Sequence, residues 1–167
     1  MTTFQFDENN SCTSFIKRCK KGGLANAKRF QRGHKNTKLK DPEMLKIYLA
    51  LGGVLITFDN HMIDDHENDI PKTSPGIVII EHSPRMLHPI TQKSAEKIIG
   101  RFKDKLPDWH KVPFENSIVR ISDASIIVGR KLDVGVVYDC HATLDDDNCD
   151  QKVRERLVKN ASGNNNG

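Results

Sequence analysis

The chain has 167 residues and a formal charge of +4, from 26 Lys+Arg against 22 Asp+Glu. That length fits one domain, and a 37% hydrophobic share can build its core beneath a well-charged surface. No run approaches the ~20 apolar residues of a membrane-spanning helix. Asp7 and Glu8 interrupt the opening before any signal-peptide pattern, so a cytoplasmic protein is expected.

In chain order, residues 3–6 form a strand candidate that stops at Asp7. Asn10 or Ser11 can cap a following helix bearing Phe15, Ile16 and Cys19, which Gly22 and Gly23 end. A short strand is expected near residues 27–30. Asp41-Pro-Glu43 reads as a helix start, with Asp as cap and Pro at the first helical position. Met44, Leu45, Tyr48, Leu49 and Leu51 supply its buried face, and Gly52-Gly53 closes it. Residues 54–58 are continuously apolar, as in a parallel strand buried on both faces, and end at Asp59.

Pro75-Gly76 precedes a second buried strand over 77–80, and Thr91 caps a helix over 91–104 with Ala95, Ile98, Ile99 and Phe102 inward. Residues 117–121, 125–128 and 134–138 read as short strands with turns at Asp123 and 129–133, favouring antiparallel pairing at one end. The alternation predicts an α/β fold with a mainly parallel central sheet flanked by helices and a C-terminal β-rich extension. Residues 143–167 read as a polar, disordered tail.

Charge is unevenly placed. Ten basic residues and no acid lie between positions 17 and 40, whereas five acids and no Lys or Arg lie between 59 and 69. A basic block suits a polyanion through counterion release. An acidic neighbour would repel phosphate unless a divalent ion reversed the local sign.

Cysteines 12, 19, 140 and 149 form no CxxC pair, and the seven histidines form no HxxxH pair on a plausible helix. Buried reduced thiols are therefore expected, and a zinc site is not. Asp7 and Asp59 end strands and should share the carboxyl rim of the sheet, where open α/β folds bind ligands. Asp41 opens a helix whose start is expected at the opposite rim of a simple βαβ unit.

The stretch Asp41-Pro-Glu-Met-Leu-Lys-Ile-Tyr-Leu-Ala-Leu-Gly-Gly-Val-Leu-Ile-Thr-Phe-Asp59 resembles the small PIN-like domains, a bacterial branch of the PIN nucleases. Phe6-Asp-Glu-Asn9 is similar to that family's opening, and Gly76-Ile-Val-Ile-Ile80 occupies the place of its next core strand. The resemblance covers residues 3–105 of a single PIN-like domain over 1–142, with the β-rich extension at 115–140. It implies a metal-dependent endoribonuclease of the toxin–antitoxin kind, using Mg²⁺ or Mn²⁺ held by Asp7, Asp41 and Asp59. Glu8, Glu43, Asn60, His61, Asp64 and Asp65 are the candidates to assist.

His61 stands where the family often carries a second Asp, and Met62 where it carries Phe. RNA contact falls to Lys17, Arg18, Lys20, Lys21, Lys28, Arg29, Arg32 and Lys35, with an antitoxin protein as the other expected partner and a homodimer left open. Two other readings stand beside this one. One is a catalytically degenerate PIN-like module that binds RNA or protein. The other is a receiver-like phosphoacceptor, which would need a hydroxyl after the next strand and a Lys after the last.

Overall fold

Short runs rich in Phe, Val, Leu and Ile, with Gln5, Thr57 and Arg120 as their polar members, are buried on both faces and pair as interior parallel strands. In the computed structural model these are β1 (Phe4–Phe6), β3 (Val54–Thr57), β4 (Ile77–Ile80) and β5 (Ile118–Ile121), every residue buried. The structure describes residues 2–7, 16–17, 20–21, 27–29, 41–82 and 90–163. β2 (Ala27–Arg29) flanks β1, while β6 (Ser125–Leu132) and β7 (Gly135–Thr143) complete the other end. Among the described residues seven strands run in the order β2-β1-β3-β4-β5-β6-β7. The four pairings from β2 to β5 are parallel and the last two antiparallel. This is the expected α/β class with a mainly parallel sheet.

Alternation along the strands makes two cores. Phe4, Phe6, Val54, Ile56, Val78, Ile80, Val119 and Ile121 face one side, where they meet α3 (Gln92–Lys105) and α4 (Cys149–Ala161). Thr91 caps α3, its side chain accepting from the Ser94 amide at 3.2 Å. Trp109 fills the gap beneath, its ring centroid 5.0 Å from Phe4 and 4.6 Å from Phe102. Leu55, Ile77, Ile79 and Ile118 face the other side, against α1 (Asp41–Ala50) and α2 (Asn60–Asp64). Burying one such aliphatic side chain contributes roughly 1.5–3 kcal/mol.

The direction of α1 corrects the expected place of Asp41. Gln5 Nε2 donates to the Tyr48 carbonyl at 2.5 Å and to the Gly53 carbonyl at 3.1 Å. These bonds fasten the end of α1 to the amino ends of β1 and β3. A ten-residue helix then runs back about 15 Å, at 1.5 Å per residue. Its first residue, Asp41, is thus directed to the carboxyl rim, the same rim as Asp7 and Asp59, because a crossover helix runs antiparallel to its strands. Leu51 is not part of the buried face: the helix ends at Ala50, and Leu51 is exposed in the turn.

Three further expectations change. The strands after residue 115 are not an extension beyond a 3–105 core, since β5 pairs in parallel with β4 and carries β6 and β7 on the same sheet. Residues 149–161 are a helix and not a loose tail. Cys149, Val153, Leu157 and Asn160 recur every three or four positions and are all buried. β6 also continues through Gly129, where a turn was expected, to Leu132. The sheet is irregular at Val128/Gly129, and a Cβ at Gly129 would lie 2.6 Å from the Tyr138 ring. Glycine there lets that ring lie flat across the strand. Asn10, Ser11, Cys12, Phe15, Cys19, Gly22, Gly23 and residues 164–167 lie outside the described residues.

Candidate functional site

Strand ends converge at the carboxyl rim. Asp7 follows β1 and is buried, and Asp59 follows β3, the strand paired directly with β1. Thr57 lies between them: its hydroxyl donates to Asp7 Oδ2 at 2.5 Å and accepts from the Asp59 amide at 3.0 Å. The Asp59 side chain is itself the cap of α2, accepting from the Met62 amide at 3.1 Å. The three residues form one hydrogen-bonded step across two strands.

A second polar cluster lies on the same face of the sheet. Arg120, in the middle of β5, is 1% exposed, and its Nη1 donates to Glu81 Oε2 at 2.7 Å. Nη2 pairs with Asp64 Oδ1, and Nε donates to the Tyr138 hydroxyl at 2.8 Å. The Tyr138 ring covers the guanidinium, with 5.2 Å from its centroid to Cζ. Burial opposes the charge on Arg120, but Tyr138, Glu81 and Asp64 together outweigh it and raise its pKa.

The expected site residues therefore separate. Asp7 and Asp59 are brought together, and the backbone direction of α1 sends Asp41 toward the same rim. Asp64 is an ion-pair partner of Arg120, so its carboxylate is already engaged in the fold. Glu43, His61 and Asp65 are exposed, and Asn60 is the first, half-buried residue of α2. Glu8 lies outside the described residues. Lys17, Lys20 and Lys21 are exposed, and Lys28 and Arg29 belong to β2 at the sheet edge. Arg18, Arg32 and Lys35 lie outside the described residues.

Glu81, Arg120 and Thr57 were missed. Glu81 ends an apolar strand as Asp59 does, so the rule that selected Asp59 would have selected it too. Arg120 had a signal of its own, a lone charge inside the apolar run Ile118-Val-Arg-Ile121.

No protein-family model, no curated protein and no solved structure matches this chain. Among the described residues, no three His, Cys, Asp or Glu side chains form a group that could hold a metal ion. Among them, too, no helix is long and apolar enough to cross a membrane. What the rim offers chemically is two carboxylates that follow adjacent strands, Asp7 buried and hydrogen-bonded and Asp59 engaged in the α2 cap.

Proposed function

We propose that the chain is a PIN-like, metal-dependent endoribonuclease, the toxin of a toxin–antitoxin pair, working at the carboxyl rim. The observation that carries this reading is the Asp7–Thr57–Asp59 arrangement, in which Thr57 bonds both the Asp7 carboxylate and the Asp59 backbone amide, so that the residues following β1 and β3 are neighbours. An all-oxygen donor set suits a hard divalent cation, so Asp7, Asp59 and Asp41 would hold Mg²⁺ or Mn²⁺. Such an ion, when bound, supplies charge neutralisation for a scissile phosphate and a lowered pKa for an attacking water.

The protein's own groups do the rest. The Thr57 hydroxyl fixes the rotamer of Asp7 and keeps its buried carboxylate hydrogen-bonded. The α2 cap holds Asp59 in place. Exposed Lys17, Lys20 and Lys21 offer an RNA backbone its counter-charge.

RNA cleavage assayed with Mg²⁺ or Mn²⁺, and with the metal chelated, tests this. Asp59→Asn keeps a capping side chain but removes the charge, so it should fold and lose activity on the order of 100-fold. Equal cleavage by that variant overturns the reading. RNA bound but not cut by the native chain would instead favour the degenerate module suggested by His61.

A receiver-like phosphoacceptor is favoured by one observation, the strand order β2-β1-β3-β4-β5, which doubly wound phosphate-binding folds also use. Against it, β5 is followed by Ser122 where that fold needs Lys, while Ser83, the hydroxyl candidate after β4, lies outside the described residues. Incubation with acetyl phosphate and a mass measurement separates the two.

A further inference from the structure

A cleft of about 540 Å³ opens at the amino rim, the opposite end of the sheet from the carboxylates. Lys72 and Thr73 precede β4, Asn116 precedes β5, and antiparallel β6 delivers Arg130, Lys131 and Leu132 there. Its volume falls in the range of small-molecule sites, roughly 300–1,000 Å³.

The walls differ in chemistry. One carries Lys72, Arg130 and Lys131, with one acid among the described residues, Asp133, which pairs with Lys72. That pair is exposed on both sides, and such pairs exchange partners at little cost. Lys131 makes one long bond, 3.4 Å to Asn68 Oδ1. Asn116, Asn160 and Gly163 line the cleft as well. Asn160, at the end of α4, is 2% exposed; its Nδ2 donates to Ser117 and Gly129, while Oδ1 is buried without a partner. The carbonyl end of α4 adds partial negative charge on the same side. Leu132 and Val134 line the cleft between the walls, Val134 being 85% exposed at the hairpin tip.

We propose that this cleft binds a nucleotide, phosphate toward Lys72 and Lys131 and base against Leu132 and Val134. A nucleotide joins the two properties the lining asks for: an anionic group and a flat apolar ring. Phosphate alone would leave Leu132 and Val134 uncovered, and a nucleoside alone would leave the lysines unused. The same chemistry is present at the phosphorylated end of an RNA. The site is separate from the carboxyl rim and needs no metal.

Isothermal titration of the full chain in chelator tests this, using AMP, adenosine, inorganic phosphate, an acidic peptide and a short RNA with or without a 5′-phosphate. AMP should bind saturably and more tightly than adenosine or phosphate. Lys72→Glu and Lys131→Glu, both at solvent-accessible positions, should each weaken AMP about tenfold. Val134→Ser should weaken AMP and leave phosphate unchanged. If only the 5′-phosphorylated RNA binds, with the same lysine dependence, the natural source is an RNA end. Lysine variants that bind as the native chain does, an acidic peptide that binds where AMP does not, or no saturable binding at all overturn the proposal.

Discussion

The hydroxyl of Thr57 donates to Asp7 Oδ2 at 2.5 Å, so the buried carboxylate that ends β1 is held by the strand beside it. Removing that donor leaves Asp7 with one bond fewer in a buried place, where an unmet acceptor costs about 1–3 kcal/mol. Thr57→Val should therefore destabilise the fold by that amount, read as a shift of the urea midpoint. Thr57→Ser, which keeps the hydroxyl, should lose much less. If Val and Ser behave alike, the bond has no energetic role.

Arg120 presents a larger imbalance. Its guanidinium is taken fully out of water, at several kcal/mol, and is offset by Glu81, Asp64 and Tyr138. Arg120→Met should cost about 3–5 kcal/mol, because the nearly buried Glu81 loses the guanidinium it pairs with. Adding Glu81→Leu should recover most of the loss. A double variant no better than the single one would show that packing around Met, and not the stranded charge, sets the cost.

The elements whose signal is local were legible. Apolar runs at 54–57 and 77–80, the Thr91 cap and the Ala95-Ile98-Ile99-Phe102 stripe all describe a segment's own burial. Relations across the chain were not. Asp64 and Arg120 are 56 positions apart, and nothing near either residue names the other. Helix α4 was hidden because Cys149, Val153 and Leu157 are separated by mostly charged residues, so its mean hydropathy reads as a solvated tail. At the rim, Asp7 and Asp59 followed from strand ends, whereas placing Asp41 required the direction of a crossover helix.

Gly76 opens β4 with φ +108, a conformation that L side chains rarely adopt. A Cβ there would also lie 2.4 Å from the Phe114 carbonyl oxygen, which is backbone and cannot swing away. Gly76→Ala should therefore destabilise by about 1–3 kcal/mol, measured by thermal unfolding. An unchanged melting temperature would mean that the 74–76 turn relaxes freely.

Helix α4 closes one core, so its inward residues should behave as core residues. Leu157 is fully buried among the side chains packed beneath the sheet. Leu157→Ala should cost about 2–5 kcal/mol in chemical denaturation, as large-to-small changes in a packed core do. A loss below about 0.5 kcal/mol, the scale of surface substitutions, would return these residues to the tail that their composition suggested.

The same helix gives the fold a pH dependence on the alkaline side. Burial pushes the Cys149 thiol up, and burial does the same to Cys140 on β7. Below the ordinary thiol value, about pH 8.5, both folded and unfolded chains carry neutral thiols and the pair adds no slope. Above it the unfolded chain loses its thiol protons first, so unfolding gains ground until the folded thiols also ionise. Stability should therefore decline as pH rises from about 8.5 toward the raised folded values. In Cys149→Ala the decline should be shallower, even though the variant starts from a lower stability. Urea midpoints taken at intervals from neutral to alkaline pH measure both slopes. Identical slopes in the two proteins would mean that Cys149 reaches water before the helix comes away.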